Sequence, residues 1–162
     1  MPQRPPRDPA AQLQWLVDRA EISDLFYTFA RTIDEHDQSA YADTFAEDGI
    51  VELPHGTTRG RAAIRVMRGP PPHWATHHVS TNHMIEIDGD TAKARAYLIA
   101  IHVFDRTANA RNARAGGWYD AELVRTDAGW RFSGVRLSIV WTTGEMMPRP
   151  PGPGAAPPGP AP

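Results

Sequence analysis

The run "ATHHVSTNHMIEIDGDTAKARAYLIAIHVF", residues 75–104, decides the fold class. Asp-Gly-Asp at 88–90 divides it into two β-prone segments, 77–87 and 91–104. Gly89 can supply the positive φ that a tight hairpin turn needs. A second hairpin follows, with "GWYDAELVRT" (117–126) and "WRFSGVRLSIVW" (130–141) facing each other across "DAG" at 127–129.

Upstream of the first hairpin the period changes. Leu13, Leu16, Val17, Ala20, Leu25, Phe26, Phe29, Ala30 and Ile33 recur at helical spacing, which predicts one long amphipathic helix, or two end to end, from about 10 to 35. A shorter helix is expected at 38–46, a short strand at "GIVEL" (49–53), and a helix at "GRAAIRVMR" (60–68) stopped by "GPPP" at 69–72. Helices followed by antiparallel strands give an α+β fold. The helices cover one face of a strongly curved, mainly antiparallel sheet, and a pocket forms where the sheet bends away from the long helix.

A chain of 162 residues with 41% hydrophobic content and five tryptophans builds one domain, placed at 10–144. The segment 1–9 is expected to be flexible and 145–162 to be a disordered or polyproline-II tail, since eight of the fifteen residues from Pro148 are proline. A net charge of −2 with scattered arginines argues against nucleic acid as a partner. With no cysteine, disulfides, thiolate metal sites and a cysteine nucleophile are excluded. No apolar run approaches the ~20 residues that span a bilayer, and "MPQRPPRDP" carries no apolar signal core. The expectation is a cytoplasmic protein without membrane partners.

Seven histidines raise the question of a metal. Strict alternation along 77–87 puts His78, Ser80, Asn82 and Met84 on one face, and His77, Val79, Thr81, His83 and Ile85 on the other. His77 and His83 then lie roughly 20 Å apart by strand rise, too far to share an ion whose ligands sit about 2 Å away. No metal site and no cofactor are expected. His102, in "LIAIHVF", is either a satisfied core histidine or a second imidazole facing the same cavity as His78. The hairpin puts residue 78 opposite residue 100, so His102 is a diagonal neighbour of His78. Asp34 ends the long helix beside its apolar stripe, where a carboxylate is costly unless paired; the alternative is a helix-end residue that satisfies backbone amides. An Asp–His pair in such a place can take up a proton and return it elsewhere on a substrate, which suits eliminations, isomerisations and cyclisations.

Taken together, "EISDLFYTFARTIDEHDQSAYADTFAEDGIVEL", "GRAAI", "HVSTNHMIEIDGDTAKARAYL", "GGWYDAELVRTDAGWRF" and the last strand to "WTTG" resemble the SnoaL-like branch of the nuclear-transport-factor-2-like superfamily over about residues 10–144. The resemblance implies a conical α+β fold around an apolar pocket and, by analogy with scytalone dehydratase, bile-acid 7α-dehydratase and hexachlorocyclohexane dehydrochlorinase, a dyad of Asp34 and His78 with His102 near a second histidine position. Two helper positions differ, being Phe29 and Leu53 here. Tyr27, Tyr97, Tyr119 or Arg125 would substitute, with Asn82 and Trp141 as further pocket candidates. The implied activity is that of a cofactor-independent lyase, chiefly a dehydratase, or a cyclase or isomerase, acting on a small hydrophobic molecule. The alternative from the same fold is a non-catalytic ligand-binding or structural subunit. A homodimer or homotrimer is the family expectation, and Tyr97, Ile99, Ile101 and Val103 on one strand face would serve as its interface or else be core.

Overall fold

Asp8 starts the first helix: its carboxylate accepts from the Ala11 backbone N–H at 2.9 Å, and Pro9 occupies the first turn, where its missing N–H costs nothing. A computed structural model describes residues 3–67, 69–105, 107 and 111–145; the proline-rich stretch from 148 lies outside them. Helix α1 runs without a break over Pro9–Asp34. Its second half buries Ile22, Phe26, Phe29 and Ala30, the i, i+4, i+7, i+8 stripe of a core-facing helix. The first half departs from the expected stripe: Leu13, Leu16 and Val17 are 64%, 52% and 42% exposed, and it is Asp18 that is buried there. His36, at φ 57°, turns the chain after α1, and Asp37 then caps α2, Gln38–Asp43.

The remaining elements are β1 (Phe45–Leu53), β2 (Gly56–Arg59), α3 (Arg61–Val66), β3 (Ala75–Asp88), β4 (Thr91–Val103), β5 (Asn112–Thr126) and β6 (Gly129–Gly144). The six strands form one sheet in the order β2-β1-β6-β5-β4-β3, antiparallel except where β1 lies parallel to β6. The α+β class and both hairpins agree with the sequence reading. The reading missed β2, and it continued α2 to 46 where the chain already enters β1 at Phe45. Among the described residues no helix is long and apolar enough to cross a membrane.

The inner sheet face carries small side chains on two adjacent strands: Ala92, Ala94, Ala96 and Ala100 on β4, and Ala113, Ala115 and Ala121 on β5, all buried. Against them pack Phe26, Phe29, Tyr41, Phe45, Tyr119 and Phe132, whose rings meet at centroid distances of 4.9–6.1 Å. Each such phenylalanine removed from water contributes about 1.5–3 kcal/mol.

At the sheet edge, β3 would leave a row of unpaired backbone groups, and side chains from the N-terminal part of the chain cover them. Gln3 bonds both the N–H and the C=O of Ile87 at 2.9 and 2.7 Å, Arg19 donates to the Ile85 carbonyl at 2.9 Å, and Asp34 accepts the His78 N–H at 2.9 Å. Strict alternation fails along this strand. Between Thr81 and Met84 the register with β4 slips by one residue, with Asn82 at φ 53°. This is a β-bulge, and it exchanges the faces of everything beyond it. Thr76, His78 and Ser80 share the inner face with His83, Ile85 and Ile87, whereas Asn82 and Met84 are exposed.

Candidate functional site

Asp34 is the last residue of α1, and its carboxylate reaches across to β3. Oδ1 accepts from the Thr76 hydroxyl at 2.9 Å and stands 2.6 Å from His78 Nδ1; Oδ2 accepts from the His78 backbone N–H at 2.9 Å. Thr76 and His78 alternate on the strand, so both point to the same side, and the intervening backbone presents its N–H along the edge. Three contacts to two oxygens fix the carboxylate in position and orientation. Burial pushes its pKa up, but the side-chain and backbone hydrogen bonds of His78, its charge and the Thr76 hydroxyl together outweigh that and hold it below the ordinary aspartate value.

A carboxylate oxygen can only accept, so His78 Nδ1 carries the proton shared between them. The His78 side chain is 7% exposed and that of Asp34 22%. Both border a recess of about 440 Å³ between the end of α1 and β3, to which Tyr27, Ala30 and Ser80 also contribute. Because β3 is an edge strand, outward-pointing His77 and Val79 line the recess too. A larger recess of about 510 Å³ lies on the far side of the sheet among Glu52, Lys93, Arg95, Asp120 and Arg136; it does not touch Asp34 or His78.

His102 lies beside His78, the two rings 5.3 Å apart and nearly perpendicular at 82°, as the diagonal hairpin relation predicts. Burial first, and then the His78 charge, lower its pKa to about 4 against the opposing effect of Asp34. It is therefore neutral near pH 7. Its Nδ1 is one of two buried side-chain atoms among the described residues without a partner, the other being His36 Nδ1.

The remaining predicted residues divide. Tyr27, 54% exposed, lines the recess and stacks against His83. Phe29 and Tyr119 are buried together in the aromatic cluster, ring centroids 5.2 Å apart. Leu53 packs at the edge of the core. Four placements need correction. Asn82 is the exposed bulge residue and does not join His78. Tyr97, 41% exposed, lies on the outer face, edge-on to Trp118. Trp141 is also outside, its ring covering Gly116 so closely that a Cβ there would sit 2.2 Å from it. Arg125 is held by Asp18 at 2.6 and 2.8 Å, and by Asp90. His83 is corrected in the other direction: the bulge brings it inside, 5.0 Å from the Phe26 ring and 3.0 Å from the Ser80 hydroxyl, with burial lowering its pKa. Among the described residues no group of three His, Asp or Glu could hold a metal ion. Thr76 was overlooked, although strand parity with His78 would have found it.

The model of the SnoaL-like domain matches residues 14–136. The uncharacterized protein Rv2910c of Mycobacterium tuberculosis is 30% identical over 124 residues, covering 72% of this chain and 81% of its own length. Among solved structures, a protein of Novosphingobium aromaticivorans named as a candidate scytalone dehydratase is similar with TM-score 0.68 and 24% identity, covering 87% of this chain and 96% of that one. A hexachlorocyclohexane dehydrochlorinase (LinA, type 2) is similar with TM-score 0.72 and 22% identity, covering 86% and 98%; at these identities both show the fold. The chain belongs to the SnoaL-like domain family.

Proposed function

Within that family, we propose that this protein is a cofactor-independent acid–base enzyme in which His78 Nε2 removes a proton from carbon and Asp34 orients and charge-stabilises the imidazole. The observation that carries this reading is the three-point hold on Asp34, with His78 Nδ1 at 2.6 Å. A carboxylate so held fixes one tautomer and leaves the other ring nitrogen free to act. His102, neutral beside it, is suited to donate a hydrogen bond to a developing oxyanion rather than to deliver a proton. Loss of water across a C–C bond is the first reaction class, supported by the dehydratase and dehydrochlorinase names among the structural neighbours, both of which denote eliminations. Cyclisation or isomerisation would use the same dyad.

The substrate class is a small hydrophobic molecule with an acidic C–H beside a carbonyl, since Tyr27, Ala30 and Val79 offer apolar surface around the imidazole. A non-catalytic ligand-binding role is the second reading, favoured by Phe29, which puts an apolar ring where related enzymes carry a polar helper. A homodimer or homotrimer through the outer sheet face, where Ile99 is 48% and Tyr97 41% exposed, is part of the proposal.

The test is solvent deuterium exchange into the α-carbon of 2-tetralone, followed by NMR. Wild type should catalyse exchange. His78→Gln, which keeps a hydrogen bond to Asp34 but has no base, should lose it by about 10²–10⁴-fold with an unchanged circular dichroism spectrum. Equal exchange in wild type and variant would overturn the role of His78.

A further inference from the structure

The bulge in β3 brings together two side chains that a regular strand would keep apart. Ser80 and His83 differ by an odd number of positions, which plain alternation sends to opposite faces. The register slip between Thr81 and Met84, with Asn82 at φ 53°, returns both to the inner side, and Ser80 Oγ stands 3.0 Å from His83 Nε2. Neither side chain belongs to the Asp34–His78 pair. The His83 ring packs against Phe26 and Tyr27 at centroid distances of 5.0 and 5.1 Å. Burial lowers its pKa, so it is neutral near pH 7 and able to accept a proton. A hydroxyl donating to Nε2 assigns the ring proton to Nδ1. Among the described residues no carboxylate holds that Nδ1, so aromatic contacts orient the ring where a catalytic triad uses an aspartate.

The hydroxyl has access and a donor beside it. Ser80 lines the recess next to α1 together with Tyr27, Ala30 and Val79. His78 pairs with Ala100 and Ser80 with Leu98 in one unbroken register. The His78 N–H turns away from β4 to Asp34, so the Ser80 N–H, two residues on, turns to the same free edge. Asp34, Arg19 and Gln3 cover that edge at His78, Ile85 and Ile87. Among the described residues the Ser80 amide is left open there. An N–H of the nucleophile itself, aimed beside its own hydroxyl, is a donor for the oxyanion formed on attack.

We propose that Ser80 and His83 form a nucleophile–base dyad that hydrolyses small activated carboxylic esters. Ser80 Oγ adds to the ester carbonyl carbon while His83 Nε2 takes the hydroxyl proton. The tetrahedral adduct collapses by breaking the bond to the alkoxy or aryloxy oxygen, which leaves with the proton from His83, and an acyl-serine remains. Water then adds to that carbonyl as His83 Nε2 takes its proton; the acyl–Oγ bond breaks, Ser80 Oγ regains a proton from His83, and the carboxylic acid is released. The apolar walls given by Tyr27, Ala30 and Val79 suit an aryl leaving group. With no carboxylate behind the imidazole the dyad is slow, and the leaving group has to be a good one. This activity goes beyond the proton-abstraction reading and does not rest on it, since it uses neither Asp34 nor His78.

The test is covalent. An alkyl fluorophosphonate, which phosphonylates a nucleophilic serine oxygen with loss of fluoride, is incubated with wild type and His83→Gln, and peptide mass spectrometry locates the label. Wild type should carry it on Ser80, and His83→Gln should react about 10²-fold more slowly. Hydrolysis of 4-nitrophenyl acetate should fall by about the same factor in Ser80→Ala. The proposal is overturned if Ser80 stays unlabelled, if His83→Gln labels as fast as wild type, or if Ser80→Ala hydrolyses the ester at the wild-type rate. The Ser80–His83 bond also braces the bulge, so each variant is melted thermally. If one is unfolded at the assay temperature, Ser80→Cys decides. The chain has no other cysteine, and at pH 7 an ordinary thiol, with its pKa near 8.5, is mostly protonated. A thiol paired with His83 should react with iodoacetamide about tenfold faster than a cysteine in a short peptide; a rate no faster than the peptide's overturns the proposal.

Discussion

Helix α1 carries two carboxylates that reach into the fold, and they meet different kinds of partner. Asp18, 3% exposed, takes two hydrogen bonds from the Arg125 guanidinium, one from the Trp130 indole at 3.1 Å and one from Gln14 at 3.0 Å. The Arg125 bond foremost, with help from Trp130 and Gln14, lowers its pKa against the cost of burial. Arg125 stacks on Trp130 and also grips Asp90. Asp34 has three bonds of similar length, but its main partner is an imidazole. An arginine never gives up its proton near neutral pH, so the Asp18 cluster ties α1 to the sheet and has no chemistry left. A histidine changes charge within reach of physiological pH, so the acid–base role proposed for this protein falls to the Asp34 end. The partner decides the role.

The largest break in that contrast is expected at the Asp34 end, where His78→Gln should abolish exchange and leave the fold. The Asp18 end should respond in the reverse sense. Asp18→Ala strands the guanidinium and indole donors and is expected to cost about 3 kcal/mol, toward the low side for a broken buried pair because Arg125 is 29% exposed. Urea denaturation would measure it, and exchange activity per folded molecule should stay at the wild-type level. If activity collapses with stability intact, the two ends are not separable.

His102 sharpens the comparison through pH. Its folded pKa, about 4, lies below the ordinary value near 6.5. Between these values the unfolded chain binds the extra proton, so the contribution to stability is full above about pH 6.5 and is lost as pH falls toward 4. The loss should amount to roughly 2–3 kcal/mol. His102→Phe, followed by denaturation at pH 7 and pH 4.5, should flatten that slope; an unchanged slope would assign the acid sensitivity elsewhere. The smallest effect is expected from Thr76→Val. It removes one of the three contacts to Asp34 and should lower the exchange rate severalfold, about 1 kcal/mol for one hydrogen bond, without moving the melting temperature much.

The fold and half of the site were legible in the sequence for local reasons. Gly89 with its flanking aspartates set the hairpin, and the hairpin register alone put His102 diagonal to His78. The apolar period of α1 ended at Asp34. Alternation then failed at a single residue. Asn82 takes a left-handed conformation that asparagine tolerates and that "STNH" advertises only weakly, and the bulge carried His83 inside and Asn82 and Met84 out. Candidates for the missing helper could not be sorted from sequence, since Tyr97, Tyr119, Arg125 and Trp141 all sit on strands whose faces depend on bulges and on what packs above them. Trp141 lies outside because Gly116 gives it a seat there.

What the sequence determined by itself was the long helix that ends at Asp34, the two hairpins and the diagonal placing of His102 beside His78, because turns, periods and strand pairing are properties of neighbouring residues. What only the tertiary structure decided was which carboxylate meets which partner. Asp18 and Asp34 look alike along the chain. Their roles separate when the curvature of the sheet brings Arg125 to one and the edge strand, with Thr76 and His78, to the other, a matter of long-range packing that no local pattern encodes.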